Sequence, residues 1–600
     1  MKDVAIVGAG PSGLIALKLL LEKNYTATIY ESSSKIGGTF AHKTYDDGAL
    51  VSSRLLTAFS DFRFSGKAAN KDHPSIPEYL EYLEQYCDRF KLWDHIVFNA
   101  DVLKIERNTS NNQYTLNIGN KYVNQNQEQI QVDAVCICSG LHNIPRKPHI
   151  QSFHKFTGQS LHSSIYKERS LFTDQKVLIV GAGETGLDLS YRAAVAHATS
   201  VVLSARSGFL SVPHEWYDGA PLDSFITNLF ECAYQHRWLE YFKIKWRFTT
   251  PFIRLAFMIG SGSSSGWNQW AGTKTTVVAR GHHIINKSVK AMAYINRPLK
   301  KKSFLGRWIY SKLDDVTDPT APDIQTTYAT PMKALGGKQI EMSDGSVQEF
   351  DMIVFCTGYK QKFPFIPASM ERTNGRRRRR RRRRSGSNEE GNSYEKEDKY
   401  GYKYGDQDQD EDQMGDEKED QDQDDPLPEI HNIVSSSDPN VAYIGFVRPN
   451  VGAIPPMSEI QVMWWIQHME KKLITTVIPS YHLMGTNKRT GSYAVDYGAY
   501  CSDLAREIGC MPSLMAWFWK SPKIAIGYAL GQSYSTYFRL EGPYQCDECV
   551  EIAKNELFEP VRRRPMVTNV LFVMICVLFG ILNGTCWMIE TMFFILWNQF

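Results

Sequence analysis

Apolar residues 4–7 run unbroken into Gly8, and beyond the glycines the apolar positions switch to the three-and-four spacing of "GLIALKLLLEKN". A second unbroken run, "ATIYE", follows. The order recurs later: residues 177–180 lead into Gly181, "GLDLSYRAAVA" has helical spacing, and "SVVLS" closes the unit. A continuous apolar run ended by glycine predicts a strand buried on both faces, and a helix between two such strands predicts that they lie parallel. Two further runs, "VDAVCICSG" and "FDMIVFCTGY", also end at glycine. The pattern therefore predicts an α/β protein built on two βαβ units.

The pattern lapses twice. Residues 371–427 hold an arginine run, Arg376 to Arg384, and then "YGYKYGDQDQDEDQMGDEKEDQDQDD". Such a stretch has too little apolar surface to offset its ordering entropy, so a disordered insertion is expected. From 566 to 589 there is no charged residue, directly after Arg562, Arg563 and Arg564. That span is long enough to cross ~30 Å of hydrocarbon as one helix, with Trp587 and Trp597 as interfacial aromatics. The flanking arginines predict that the body of the chain lies in the cytosol; the endoplasmic reticulum is the membrane expected.

Composition changes this picture little. The 600 residues exceed what one core supports, so two or more domains are expected. The formal net charge of +3 conceals the cancelling arginine and acidic tracts, and with the acidic tract beside the arginines no nucleic-acid partner is expected. Eleven cysteines, mostly in apolar stretches, suit a reducing compartment. Cys546 and Cys549 have CxxC spacing but no second pair or histidines nearby, so no metal site is expected and the pair reads as structurally incidental. The first residues already read as a strand, so no cleavable signal peptide is expected.

The candidate chemistry lies in the glycines. "GAGPSG" comprises Gly8, Ala9, Gly10, Pro11, Ser12 and Gly13, and Glu31 ends the following strand. A tight turn, a bare backbone and a helix N-terminus suit a pyrophosphate, and an acid at the second strand's tip suits a ribose diol. "GAGETG" repeats the loop with Gly181, Gly183, Glu184, Thr185 and Gly186. Its second strand ends in Ser204, Arg206 and Ser207, and a guanidinium suits the 2′-phosphate of NADPH. The expected fold is therefore two Rossmann-like dinucleotide-binding domains, the first for FAD and the second for NADPH. The boundaries are 1–150 for the first part of the FAD domain and 151–340 for the NADPH domain, with an inserted helical region at 210–325. The chain returns to the FAD domain at 341–370 and, beyond the insertion, at 428–560; the anchor is 566–589.

Between the two loops, Phe156, Gly158, His162 and Tyr166 fit F-x-G-x-x-x-H-x-x-x-Y. With "KIGGTF", "FSDF" (59–62), "FDMIVFCTGY", "AYIGFVRPNVGAIPPMSEIQVMWW" and "YFRLEGP", the chain resembles the flavin-containing monooxygenases and their N-hydroxylating relatives. The resemblance covers most of the chain apart from about 210–325, the insertion and the tail. It implies flavin-side contacts at Gly38, Thr39, Phe40 and Val102, further cofactor contacts at Thr357 and Gly358, and a structural role for His162. Tyr166, where Baeyer–Villiger relatives tend to carry Trp, implies heteroatom oxygenation. Relatives commonly have Asn shortly before the "FSDF" segment; here stand Val51, Ser52 and Ser53, and the two serines are the candidates to face the flavin's reactive side. Phe40 replaces a usual Trp, and Met463 a frequent Arg.

The resemblance implies oxygen transfer from a C4a-hydroperoxyflavin to a soft nitrogen or sulfur of a small-molecule amine or sulfide, with O₂ and NADPH consumed. Two alternatives stand beside it. An NADPH oxidase releasing H₂O₂ would follow from the missing Asn, and product per NADPH discriminates it. A non-enzymatic membrane interaction protein on the same fold would lack bound flavin.

Overall fold

The computed structural model describes residues 2–206 apart from 109 and 121–126, scattered residues between 210 and 295, 318–367, 425–476 apart from 450 and 451, 483–484, and 494–597 apart from 565. Ser207, most of 210–325 and the insertion from 368 to 424 lie outside the described residues.

The chain opens with β1 (Asp3–Val7), α1 (Pro11–Glu22) and β2 (Thr26–Glu31). A short helix α2 (Arg54–Thr57) and the longer α3 (Ile76–Phe90) precede β3 (Ile96–Phe98) and β4 (Ala134–Ile137). α3 starts at a capping box between Ser75 and Glu78, and its buried Tyr79, Tyr82 and Tyr86 meet Phe59, Phe62 and Phe64.

A second sheet takes β5 (Gln159–His162), β6 (Lys176–Val180), β7 (Ser200–Ser204), β8 (Ile324–Thr327) and β9 (Met352–Phe355), with α4 (Glu184–Val195) joining β6 to β7. Its order is β8-β7-β6-β9-β5, parallel throughout. The chain then completes the first sheet with β10 (Val434–Ser435) and β11 (Asp438–Tyr443), giving β10-β11-β4-β1-β2-β3. Every pair there is parallel except β10–β11. The fold is thus α/β with two Rossmann-like sheets, as the alternation of apolar runs predicts.

One face of the first sheet packs on a three-stranded antiparallel sheet, Ala100–Asn108, Gln113–Asn120 and Gln127–Val132. The other carries α1 against α5 (Ile454–Met469), whose residues are buried almost all round. α6 (Tyr497–Ile508) lies on α5. The insertion departs and returns at one place: Asp425 accepts from Phe363 N–H (2.8 Å) and pairs with Lys362 (3.0 Å), and its N–H donates to the Gln361 carbonyl (2.8 Å).

After α7 (Asp547–Asn555) comes the terminal helix α8 (Met566–Trp597), 32 residues with most large apolar side chains exposed. Asn569–Ile595 is long and apolar enough to cross a membrane. The expected span ends at 589, but the helix continues through Glu590. That carboxylate meets the buried His236 (2.9 Å), and glutamate is a good helix former, so one paired acid does not interrupt the helix. Two of the arginines before it are tied to the body. Arg563 grips Asp72 (2.6 and 2.9 Å), and Arg564 is buried, bonded to the Leu530 carbonyl and set over Phe572.

Candidate active site

The two glycine loops share one backbone. Gly8 and Gly181 have φ of +102° and +106°, which favours glycine. A Cβ on Gly13 would lie 1.9 Å from the Gly8 oxygen, and one on Gly186 1.8 Å from the Gly181 oxygen. Gly8 N–H donates to the Tyr30 carbonyl and Gly181 N–H to that of Ser204, both at 2.9 Å. Val7 is opposite Tyr30, and Val180 opposite Ser204. The register therefore places Glu31 of the first unit where the second has Ala205. The neighbouring strands repeat as well: Cys138–Ser139–Gly140 crosses the first loop and Cys356–Thr357–Gly358 the second.

Both loops fit dinucleotides. α1 and α4 begin at glycine N-caps, Gly10 and Gly183, with no side chain capping the free N–H groups. Among the described residues, a Cβ on Gly183 would meet nothing within 4 Å, and one on Gly10 only the Gly38 Cα at 3.9 Å. Open space thus lies where the helix N-terminus is positive. Glu31 is buried and accepts from Ala9 N–H (2.7 Å) and Ser33 N–H (2.9 Å). A carboxylate has about four acceptor sites, which leaves capacity for ribose hydroxyls. At the second strand tip, two residues past Ser204, Arg206 is exposed with φ +35°.

Around the first loop the chain closes in. Gly37 N–H donates to the Ala9 carbonyl (3.0 Å), and Gly38, at φ +54°, begins the turn carrying Thr39 and Phe40. Phe40 sets its ring edge on Tyr79 (4.7 Å). From the C-terminal part, Ser458 on α5 gives its proton to the Ile454 carbonyl (2.9 Å), so the 2.9 Å contact with Ser12 is donated by Ser12. Gly445 sits against the same Ser12, its N–H held by Gln461 (3.0 Å).

The two serines before α2 differ. Ser53 is buried; its hydroxyl accepts from Leu56 N–H (3.3 Å) as the helix cap, and its N–H donates to Asp223 (2.7 Å). Ser52 is half-buried, and its hydroxyl donates to the Gly452 carbonyl (3.2 Å), next to the start of α5. Of the pair, Ser52 holds the more available hydroxyl. Ser204 is likewise engaged, donating to Ala329 (2.7 Å). Val102 lies in the first strand of the antiparallel sheet, beside a β-bulge, with its side chain buried in the core shared with the first sheet.

The F-x-G-x-x-x-H-x-x-x-Y stretch braces the second loop. Nδ1 of His162 accepts from Ser164 N–H (3.1 Å), so Nε2 carries the proton and donates to the Gly358 carbonyl (3.0 Å). Burial pushes its pKa below the usual histidine value, as a neutral ring requires. The same carbonyl accepts from Arg146 N–H (2.9 Å), while the Thr357 hydroxyl bonds to the Arg146 carbonyl. Phe156 stacks on Phe153 and the buried Tyr166 on Phe172. Sequence reasoning does not point to Gly445, Gln461, Ser458 or Asp223; "MSEIQ" holds two of them, but nothing in its spacing ties them to Ser12.

The family described as "Flavin-binding monooxygenase-like" matches residues 1–247 and 434–595. The monooxygenase PC-14 of Penicillium crustosum is 30% identical over 630 residues, covering 96% of this chain and 95% of that protein. Dimethylaniline monooxygenase [N-oxide-forming] 2 of Macaca mulatta is 26% identical over 603 residues, covering 95% and 94%. S-allyl-L-cysteine S-oxygenase from Allium sativum shares the fold, with a TM-score of 0.51, 16% identity, and coverage of 93% of this chain and 99% of that one. These matches overturn the non-enzymatic alternative. The chain belongs to the flavin-binding monooxygenase-like family, an enzyme that uses FAD and NADPH.

Proposed function

We propose that the protein transfers one oxygen atom of O₂ to a soft nucleophilic nitrogen or sulfur of a small-molecule amine or sulfide. The observation that carries this reading is the makeup of the site. Glycine backbone, hydroxyls and a doubly engaged histidine surround the loops, and among the described residues no cluster of His, Cys, Asp or Glu could hold a metal. The chemistry then belongs to the cofactor: bound FAD supplies hydride acceptance and the reaction with O₂.

The chain binds, orients and excludes water. The N-terminus of α1 would hold a diphosphate, and Glu31 would accept from ribose hydroxyls. Gly183 and Arg206 receive NADPH, whose 2′-phosphate suits the guanidinium. His162 holds the Gly358 turn, where neutral imidazole needs no proton exchange. Ser52 is the hydroxyl offered to the reactive side, with Ser53 fixing α2 beneath it. The N-oxide-forming relative named above supports nitrogen as acceptor. α8 presents the apolar surface for the endoplasmic reticulum membrane, with the body in the cytosol and the Glu590–His236 pair holding its far end to the body.

The test counts product and H₂O₂ against NADPH consumed, with a tertiary amine and a thioether in turn. Near-stoichiometric N- or S-oxide supports the proposal; conversion of all the NADPH into H₂O₂ with both substrates sinks it. That second outcome is the oxidase reading, which follows from the missing Asn, where Ser52 offers the more available hydroxyl of the two serines.

A further inference from the structure

"YQCDECVE" reads as incidental in the sequence because nothing there links it to a nucleotide loop. The structure supplies the link. Cys546 is the N-cap of α7 and Cys549 lies in its first turn, nine residues of helix following the cap. Cys549 is buried, and its thiol donates to the Ser60 carbonyl (3.6 Å). Ser60 gives its N–H (3.0 Å) and its hydroxyl to Glu459 on α5. The adjacent Ser458 is the partner of Ser12 in the first glycine loop. Cys546 N–H donates to the Arg539 carbonyl (2.9 Å), and the Arg539 guanidinium bonds Asp61 (3.1 Å), Ser60 (3.3 Å) and Glu459 (3.5 Å).

Cys546 is also reachable. It is half-buried and lines a cavity of about 410 Å³ together with Lys18, Asp61, Arg89, Phe90 and Arg539. The Cys549 thiol beside it, more than offsetting burial, holds Cys546 down to about 6, while Cys549 itself is pushed well up. The pair thus divides into a thiolate at neutral pH and a buried thiol, the arrangement of a nucleophile and a resolving group. Cys136 and Cys138 provide the contrast. Their sulfurs are 3.6 Å apart, but both are buried in β4 and its exit, and burial pushes Cys136 far above the ordinary thiol value.

We propose that Cys546 and Cys549 form a hydroperoxide-sensitive dithiol–disulfide switch attached to the FAD-binding sheet. The Cys546 thiolate attacks the terminal oxygen of a hydroperoxide, the O–O bond breaks, and the alcohol (water, for H₂O₂) leaves after taking a proton. Cys546 is now a sulfenic acid. Cys549 loses its proton and attacks the Cys546 sulfur, the S–O bond breaks, water leaves, and the disulfide forms. Two thiols have lost two electrons and the hydroperoxide has gained them; a dithiol reductant reverses the step. Closure has one certain structural effect: Cys549 no longer has a proton to donate, whether to the Cys546 sulfur or to the Ser60 carbonyl. The proposal does not depend on which substrate the monooxygenase oxidises.

The test uses the full chain in detergent, treated with graded H₂O₂ and then alkylated and digested with trypsin. Cleavage after Arg539 and Lys554 yields peptide 540–554, which contains both cysteines and no others. Expected is a peptide lighter by two hydrogens, restored by dithiothreitol, with Cys546→Ser abolishing peroxide reactivity and Cys549→Ser leaving a dimedone-reactive Cys546. In the untreated chain, alkylation of Cys546 should be half-maximal near pH 6. A peptide that stays reduced while glutathione in the same tube is oxidised overturns the proposal. So does a Cys546 alkylation midpoint at the ordinary thiol value of about 8.5, a reading that needs no variant to fold.

Discussion

The two nucleotide loops are nearly the same object in backbone, and they differ in what closes over them. At the first, the Gly37–Gly38 turn, Gly445 and Ser458 all press on Ala9, Gly10 or Ser12, and α5 lies along α1. At the second, among the described residues, Gly183 faces open space, Arg206 is exposed, and the support, His162 with Arg146 and Thr357, braces the neighbouring turn. A cradle with a lid retains its ligand, and a cradle open on one side lets its ligand leave. On the proposed assignment of FAD to the first loop and NADPH to the second, the contrast suits a flavin that stays and a nicotinamide that turns over; the first loop's cover comes from the chain returning to the first sheet and adding α5 there.

The sharpest way to break the comparison is to add the same methyl group to both loops. Gly13→Ala and Gly186→Ala each drive a Cβ to under 2 Å from a backbone oxygen, so either loop must deform, at about 3 kcal/mol or more, roughly a hundredfold in binding. Gly13→Ala should purify without flavin absorbance. Gly186→Ala should keep its flavin and lose reduction by NADPH. Equal flavin loss in the two would show that the loops do not divide the cofactors.

A second substitution attacks the lid. Arg539, buried beside Asp61, Glu459 and Lys18, holds α5 to the segment before α3. Arg539→Met leaves buried carboxylates short of a partner, a loss of about 3–5 kcal/mol. Thermal unfolding should shift down and flavin should dissociate on dilution. If the melting temperature is unchanged, the cluster contributes nothing to the lid.

Next in size is Arg206→Ala. Charge-assisted hydrogen bonds contribute about 1.5–3 kcal/mol, so KM for NADPH should rise roughly tenfold to a hundredfold while KM for NADH and flavin content stay put. A parallel rise for NADH would place the 2′-phosphate elsewhere. Smallest is Ser12→Ala, which removes one neutral hydrogen bond to Ser458. About 1 kcal/mol predicts a roughly fivefold weaker flavin, readable by equilibrium dialysis.

Much of this could be read from the chain because the signals are local. Glycine spacing, an apolar run and an acid two dozen residues later are set by one turn and one register, and β1, α1, β2 and their repeats follow. The lid could not be read this way. Ser12 meets Ser458 across 446 positions, and no periodicity encodes which hydroxyl a hydroxyl finds. The same holds for function at single atoms. Ser52 and Ser53 are indistinguishable in sequence, and only the start of α2 commits one of them as a cap. In sequence the arginines before α8 read as the cytosolic flank of the span, whereas Arg563 and Arg564 are tied to Asp72 and to the Leu530 carbonyl.

The clasp at Asp425 has a consequence for how this chain tolerates change. Its backbone and carboxylate meet residues 361–363, so the two ends of the insertion leave the body at a single knot. A loop whose ends are already held together adds only closure entropy as it lengthens, about 0.6 kcal/mol per doubling. For an insertion of the kind its composition predicts, length there is expected to be thermodynamically almost neutral, so that the tract can be lengthened or trimmed without the sheets registering it. Replacing 368–424 by a short Gly-Ser link should leave flavin content unchanged and move the unfolding temperature by a degree or two at most; Asp425→Ala, which unties the knot, should move it further.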